Sequence, residues 1–133
     1  MRPIPANWEP YLRSVLRIVV AFLFIAHGTQ KLLGFPGSRT PVVLASLLGV
    51  ASLLETFGGA LIFLGLLTRP IAFLLSGEMA VAYFVGHAPN GFWPLVNRGE
   101  PAVLFCFVFL YLAAAGPGPW SLDALAGRRG RST

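Results

Sequence analysis

The sequence has 133 residues, 56% of them hydrophobic and only 11% charged, with a formal net charge of +5 and a mean hydropathy of +0.73. A soluble domain carries about 25% charged residues, so this chain has too little polar surface to coat a water-soluble fold of its length. High hydrophobicity excludes a disordered chain and the single cysteine excludes a secreted disulfide scaffold, which leaves a one-domain integral membrane protein.

Four apolar runs predict an all-α, four-helix transmembrane bundle with helices over roughly 11–33, 41–67, 70–87 and 100–115, each to be weighed against the ~20 residues needed to span a bilayer. The first run is purest at Ile18–Ala26 and ends at Gly34, Pro36 and Gly37. An alternative for Met1–Gly28, a cleavable signal, is disfavoured by the long polar start containing Glu9. The second run begins at Thr40-Pro41 and, as one helix, would be about 39 Å long, so it must tilt or overhang. Arg69-Pro70 opens the third; a link of two or three residues makes the second and third helices antiparallel neighbours. His87 to Gly99 reads as a loop with Phe92 and Trp93 at the interface, and Gly116-Pro117-Gly118-Pro119 ends the fourth helix before Trp120. A short basic tail follows, with Arg128, Arg129 and Arg131 set against anionic headgroups.

Lysine and arginine counts give the orientation. Arg2, Arg13, Arg17, Arg69, Arg128, Arg129 and Arg131 fall on one side, and Lys31, Arg39 and Arg98 on the other. The richer side is cytoplasmic, which places both termini there. The basic residues are spread out and not interleaved with stacking aromatics, so nucleic acid is not an expected partner; the bilayer is.

Glu55 and Glu78 sit near the middle of their apolar runs. An ionisable group at that depth costs roughly 2.5–3.5 kcal/mol, so it faces the bundle interior or a water-filled cavity. The pair is either a proton-handling or hydrogen-bonding site for a redox molecule, or polar glue between helices. Small residues Ser52, Gly58 and Gly59 flank Glu55 on one face. On the first helix Arg17, Ala21, Phe24, Gly28 and Lys31 form one stripe at spacings of three and four, with His27 on the same broad face. Lys31 reaches down to Glu55 or across to Glu100, which opens the fourth helix. His87 lies nine residues beyond Glu78, about 180° around a straight helix, so the two share a pocket only if the helix ends or bends first. The two histidines lack metal-ligand spacing, and Cys106, alone among Phe and Val, is a packing residue.

Arg17 followed by Gly28-Thr29-Gln30-Lys31, then Glu55-Thr56-Phe57-Gly58-Gly59 with Gly65, Thr68 and Arg69, forms an ordered set of marks. Phe92-Trp93-Pro94 before Asn97-Arg98-Gly99-Glu100, and the closing Gly116-Pro117-Gly118-Pro119-Trp120-Ser121-Leu122-Asp123, complete it. Together, from Arg13 to Asp123, these resemble the DoxX family. Arg98 departs from the pattern, standing where the Asn-Gly-Gly-Glu form of the loop has a small residue. The resemblance implies a small four-helix protein of the bacterial inner membrane tied to redox chemistry, a relative being a subunit of a thiosulfate:quinone oxidoreductase.

The leading expectation is therefore a redox-linked membrane component, a quinone-interacting subunit working with a soluble or membrane oxidoreductase partner. Glu55 and Glu78 would carry the proton chemistry, with His27, Lys31, His87 and Glu100 as ligand-binding residues. No flavin, haem or metal motif accompanies them. The alternatives are a non-catalytic scaffold for a partner protein and a small proton or solute transporter.

Overall fold

The structure, a computed structural model, describes residues 2–37 and 39–130. Arg131 of the basic tail lies outside them. Every regular element is helical. Helix α1 runs Glu9–Leu33 and ends where Gly34 turns left-handed. Helix α2, Leu47–Leu64, contains a π-helical turn at Leu54–Gly58. Helix α3 runs continuously over Thr68–Asn90, passing through a π-helical turn at Tyr83–His87. Helix α4 is Glu100–Ala115 and α5 is Leu122–Arg129. The first three are long and apolar enough to cross a membrane, whereas α4, at 16 residues, is shorter.

The largest boundary correction is in α2, expected over 41–67. Its start moves to Leu47 because Ser46, not the Thr40-Pro41 step, provides the cap: the Ser46 hydroxyl accepts from Gly49 N at 3.0 Å. Val42 is instead held by its amide to the Lys31 carbonyl, 2.9 Å. The helix stops at Leu64 because Gly65 adopts φ +68°, a left-handed conformation in which a Cβ would run into Ser121. The two-residue difference at the start of α3 has a remote cause. Asp123 accepts from both Leu67 N and Thr68 N at 2.9 Å, capping a helix start 55 residues earlier in the chain. The C-terminal basic segment, expected as a simple tail, forms α5 because Ser121 caps it through Ala124 N at 3.1 Å.

Helix α1 packs along α2 and α3 along α4, giving two helix pairs. Between them lies a small core of Phe24, Ile62, Leu75, Phe109 and Leu112 with Ala21 and Ala72; Phe24 meets Phe109 edge-on, ring centroids 4.8 Å apart. Phe22, Phe57, Phe73, Leu104 and Phe107 are all more than 60% exposed on the outer faces. Apolar side chains of that size facing outward from every long helix fit a hydrocarbon solvent. The stripe predicted on α1 is its buried face: Arg17, Ala21, Phe24 and Gly28 are all covered.

One end of the bundle is closed by Arg17, counted from sequence among the cations of the cytoplasmic side and found fully buried. Its Nε donates to Pro117 O at 2.9 Å and Nη1 to Ile62 O at 2.6 Å. Further bonds reach the carbonyls of Phe63 and Trp120. Its donor groups thus collect backbone oxygens left over where α2 ends and where the chain loops back after α4. Neighbouring Ser14 Oγ accepts from Trp120 N at 3.2 Å, and Arg13 and Arg69 bond to carbonyls in the last turn of α4.

Candidate functional site

At the opposite end the two pairs separate around a cavity of about 510 Å³. Helix α1 contributes Phe24, His27 and Lys31, one stripe at i, i+3 and i+7. Helix α2 crosses α1 closely at Gly28, where a Cβ would stand only 2.6 Å from Thr56 N and 2.9 Å from Glu55 Cβ. That approach brings Lys31 Nζ to 2.6 Å from Glu55 Oε1. Glu55 is 2% exposed and occupies the π-helical turn, a feature that accommodates one extra residue per turn and re-aims the side chains around it.

Glu78 enters from α3. Both of its carboxyl oxygens and Glu55 Oε2 are buried with no hydrogen-bond partner among the described residues. Three unsatisfied carboxyl oxygens at one site contrast with the rule that buried polar atoms are nearly always bonded. The walls around them are apolar: Phe24, Leu54, Met79 and Phe105. His27 packs its ring edge-on against Phe105, centroids 5.6 Å apart.

The bend needed to bring His87 to the same cavity is the second π-helical turn, Tyr83–His87. His87 Nδ1 lies 3.1 Å from Asn97 O. Asn97, itself 5% exposed, donates to Gly91 O at 2.9 Å and accepts from Gly99 N at 2.8 Å, which folds the loop before α4. Arg98, at φ +60°, pays the strain of a left-handed non-glycine residue, and it lines the cavity mouth with Arg39.

Five of the six residues singled out from sequence therefore meet at one cavity: His27, Lys31, Glu55, Glu78 and His87. Glu100 does not. It is exposed in the first turn of α4, where a carboxylate suits the helix dipole, and Lys31 takes Glu55 as its ion-pair partner instead. Sequence reasoning noted Asn97 only as part of the family pattern, and missed Arg39 and the cavity role of Arg98. The only signal for Arg98 was its departure from the small residue of the loop pattern. No group of three or more His, Cys, Asp or Glu that could hold a metal occurs among the described residues.

Comparison with known proteins supplies the frame for this arrangement. The DoxX family profile matches residues 12–88, more than half of the chain. The chain belongs to the DoxX family. The matched stretch of this DoxX protein carries Lys31, Glu55, Glu78 and His87. It is 47% identical over 123 residues to a protein of Haemophilus influenzae that carries the name uncharacterized protein, covering 88% of this chain and 92% of that one. It is also similar to two Escherichia coli proteins named inner membrane proteins YphA and YqjF. These are 30% and 31% identical, each alignment covering 86% of this chain and 90% and 92% of the relative. No solved structure matches. With three helices of spanning length and relatives so named, this DoxX protein is a multi-pass inner-membrane protein.

Proposed function

We propose that this DoxX protein is a redox-linked component of the bacterial inner membrane whose cavity receives the head of a quinone-type carrier. It crosses four times as a single domain with both termini in the cytoplasm. The observation that carries the reading is the set of three buried, unpartnered carboxyl oxygens on Glu55 and Glu78, beside the Lys31 ammonium, inside apolar walls. A cavity of about 510 Å³ lies within the range of ~300–1,000 Å³ typical of small-molecule sites. A flat ring with two carbonyls fits this chemistry. Lys31 and the histidines donate to its oxygens, and the carboxyls and imidazoles pass the two protons that accompany two electrons when quinone becomes quinol. The electrons come from an oxidoreductase partner.

The test is quinone-induced thermal stabilisation of the detergent-purified protein. A short-chain benzoquinone or naphthoquinone is expected to raise the melting temperature of the wild type, and the isosteric Glu55→Gln and Glu78→Gln variants are expected to lose that rise while remaining folded. Absence of a shift for every quinone tried would overturn the reading.

A further inference from the structure

Helices α2 and α3 touch near their connection and part above it. A Cβ on Gly58 would stand 2.9 Å from Leu75 Cδ2, whereas one on Gly86, which lines the cavity, would meet nothing within 4 Å. In an antiparallel pair joined after Leu64, Leu47 and Val50 face Val81 and Val85 across the widening gap. All four line the cavity, yet they are 69%, 51%, 55% and 59% exposed. Side chains that are both cavity wall and outer surface mark an opening. This one is wholly aliphatic, while the loop end of the cavity carries Arg39, His87 and Arg98.

The cavity therefore has two mouths of opposite chemistry. The polar floor at Glu55 lies eight residues, or about 12 Å of helical rise, inside the start of α2. Leu47 and Val50 stand in the first turn of α2, so the aliphatic gap runs from the end of the helix down toward that depth.

We infer that the α2–α3 gap is a lateral mouth through which the site's ligand enters from the bilayer and in which its hydrocarbon tail lies once the polar head reaches Lys31, Glu55 and Glu78. The inference rests on the reading proposed above and narrows its ligand to a lipid-dissolved, tail-bearing molecule. Continuity of the aliphatic rim with the polar floor favours the tail of this ligand over a phospholipid, which would bring two chains and an anionic phosphate to a floor that already holds the Glu55 and Glu78 carboxyls.

The experiment compares a benzoquinone carrying a decyl chain with the same ring carrying methyl, on wild type and on Val81→Phe, with Val50→Phe as an independent closure from the other helix. Both positions are exposed, so the substitutions leave the core untouched. Wild type is expected to bind both rings. Each closure variant is expected to weaken the decyl compound about ten- to a hundredfold, the range that overfilling a packed space produces, and to leave the methyl ring unchanged. Unchanged binding of both rings in the closure variants overturns the lateral mouth and leaves the quinone site standing. If wild type binds neither ring, the quinone site falls and the mouth is judged alone, by a fluorophore on Ala51→Cys in a Cys106→Ala background within nanodiscs of brominated phosphatidylcholine. Quenching relieved by Val81→Phe keeps the mouth, and absence of quenching overturns it.

Discussion

The two ends of the bundle treat buried charge in opposite ways. At the closed end Arg17 is fully buried, and its guanidinium bonds the carbonyls of Ile62, Phe63, Pro117 and Trp120. At the open end the Lys31–Glu55 pair is joined by a Glu78 carboxyl with no hydrogen-bond partner among the described residues. A cluster whose donors are met by acceptors adds rigidity, whereas one left short of partners stores interactions for something else. The contrast separates a structural clamp from a site within one small protein, and each of its halves can be broken separately.

The largest effect is expected from Arg17→Met, which strands backbone carbonyls in the closed end. Hydrogen bonds to a charged donor are worth about 1.5–3 kcal/mol each, and Arg17 makes several, so a loss of at least about 3 kcal/mol is expected, to be read from unfolding in detergent micelles. Next is Lys31→Met, which leaves the Glu55 carboxylate without its cation and is expected to cost about 1–3 kcal/mol. The double variant Lys31→Met with Glu55→Gln should recover much of that loss in a double-mutant cycle; strict additivity would show that the two groups do not act as a pair.

A smaller effect, about 0.5–1.5 kcal/mol for one lost hydrogen bond, is expected for Asp123→Asn at the closed end, because the new amide nitrogen cannot accept from the second of the two N–H groups. Burial pushes the Asp123 carboxyl up, but the Thr68 and Leu67 amides and the Arg17 guanidinium outweigh it and hold it below the usual aspartate value. Its contribution is therefore complete above the unfolded value of about pH 4 and is lost as pH falls through the lower folded value. A melting curve of the wild type should show no Asp123-dependent change between about pH 5 and 7, and the gap between wild type and Asp123→Asn should close only in stronger acid.

The smallest stability effect, and the sharpest test of the contrast, is Glu78→Leu. Replacing an unpartnered buried carboxyl by an apolar side chain is expected to leave stability unchanged or raise it by about 1 kcal/mol, while quinone-induced stabilisation disappears. A clear loss of stability would mean that Glu78 belongs to the framework.

The helices were legible in the sequence because apolar runs of membrane length leave few alternatives, and α4 ends where Gly116 predicts. The boundaries of α2 were not, since Ser46 wins the cap over Thr40 and Gly65 turns left-handed against Ser121, both settled by residues packed from elsewhere. Glu55 and Glu78 announced themselves as acids inside apolar runs. The choice of Glu55 over Glu100 as partner of Lys31 depends on the crossing at Gly28 and on a π-helical turn, neither of which leaves a periodic trace. The clamp at Arg17 was not legible for a related reason: nothing near it in sequence shows that its acceptors come from residues 62 to 120.

That separation bears on how the chain is made. Arg17 belongs to α1, and its Pro117 acceptor is translated 100 residues later. Through most of synthesis the first helix carries a guanidinium whose final partners have yet to be translated, so it must wait near the water boundary. The clamp closes only as the segment after α4 folds back over it. A chain arrested before residue 117 would hold α1 to α4 but leave Arg17 without its Pro117 and Trp120 acceptors.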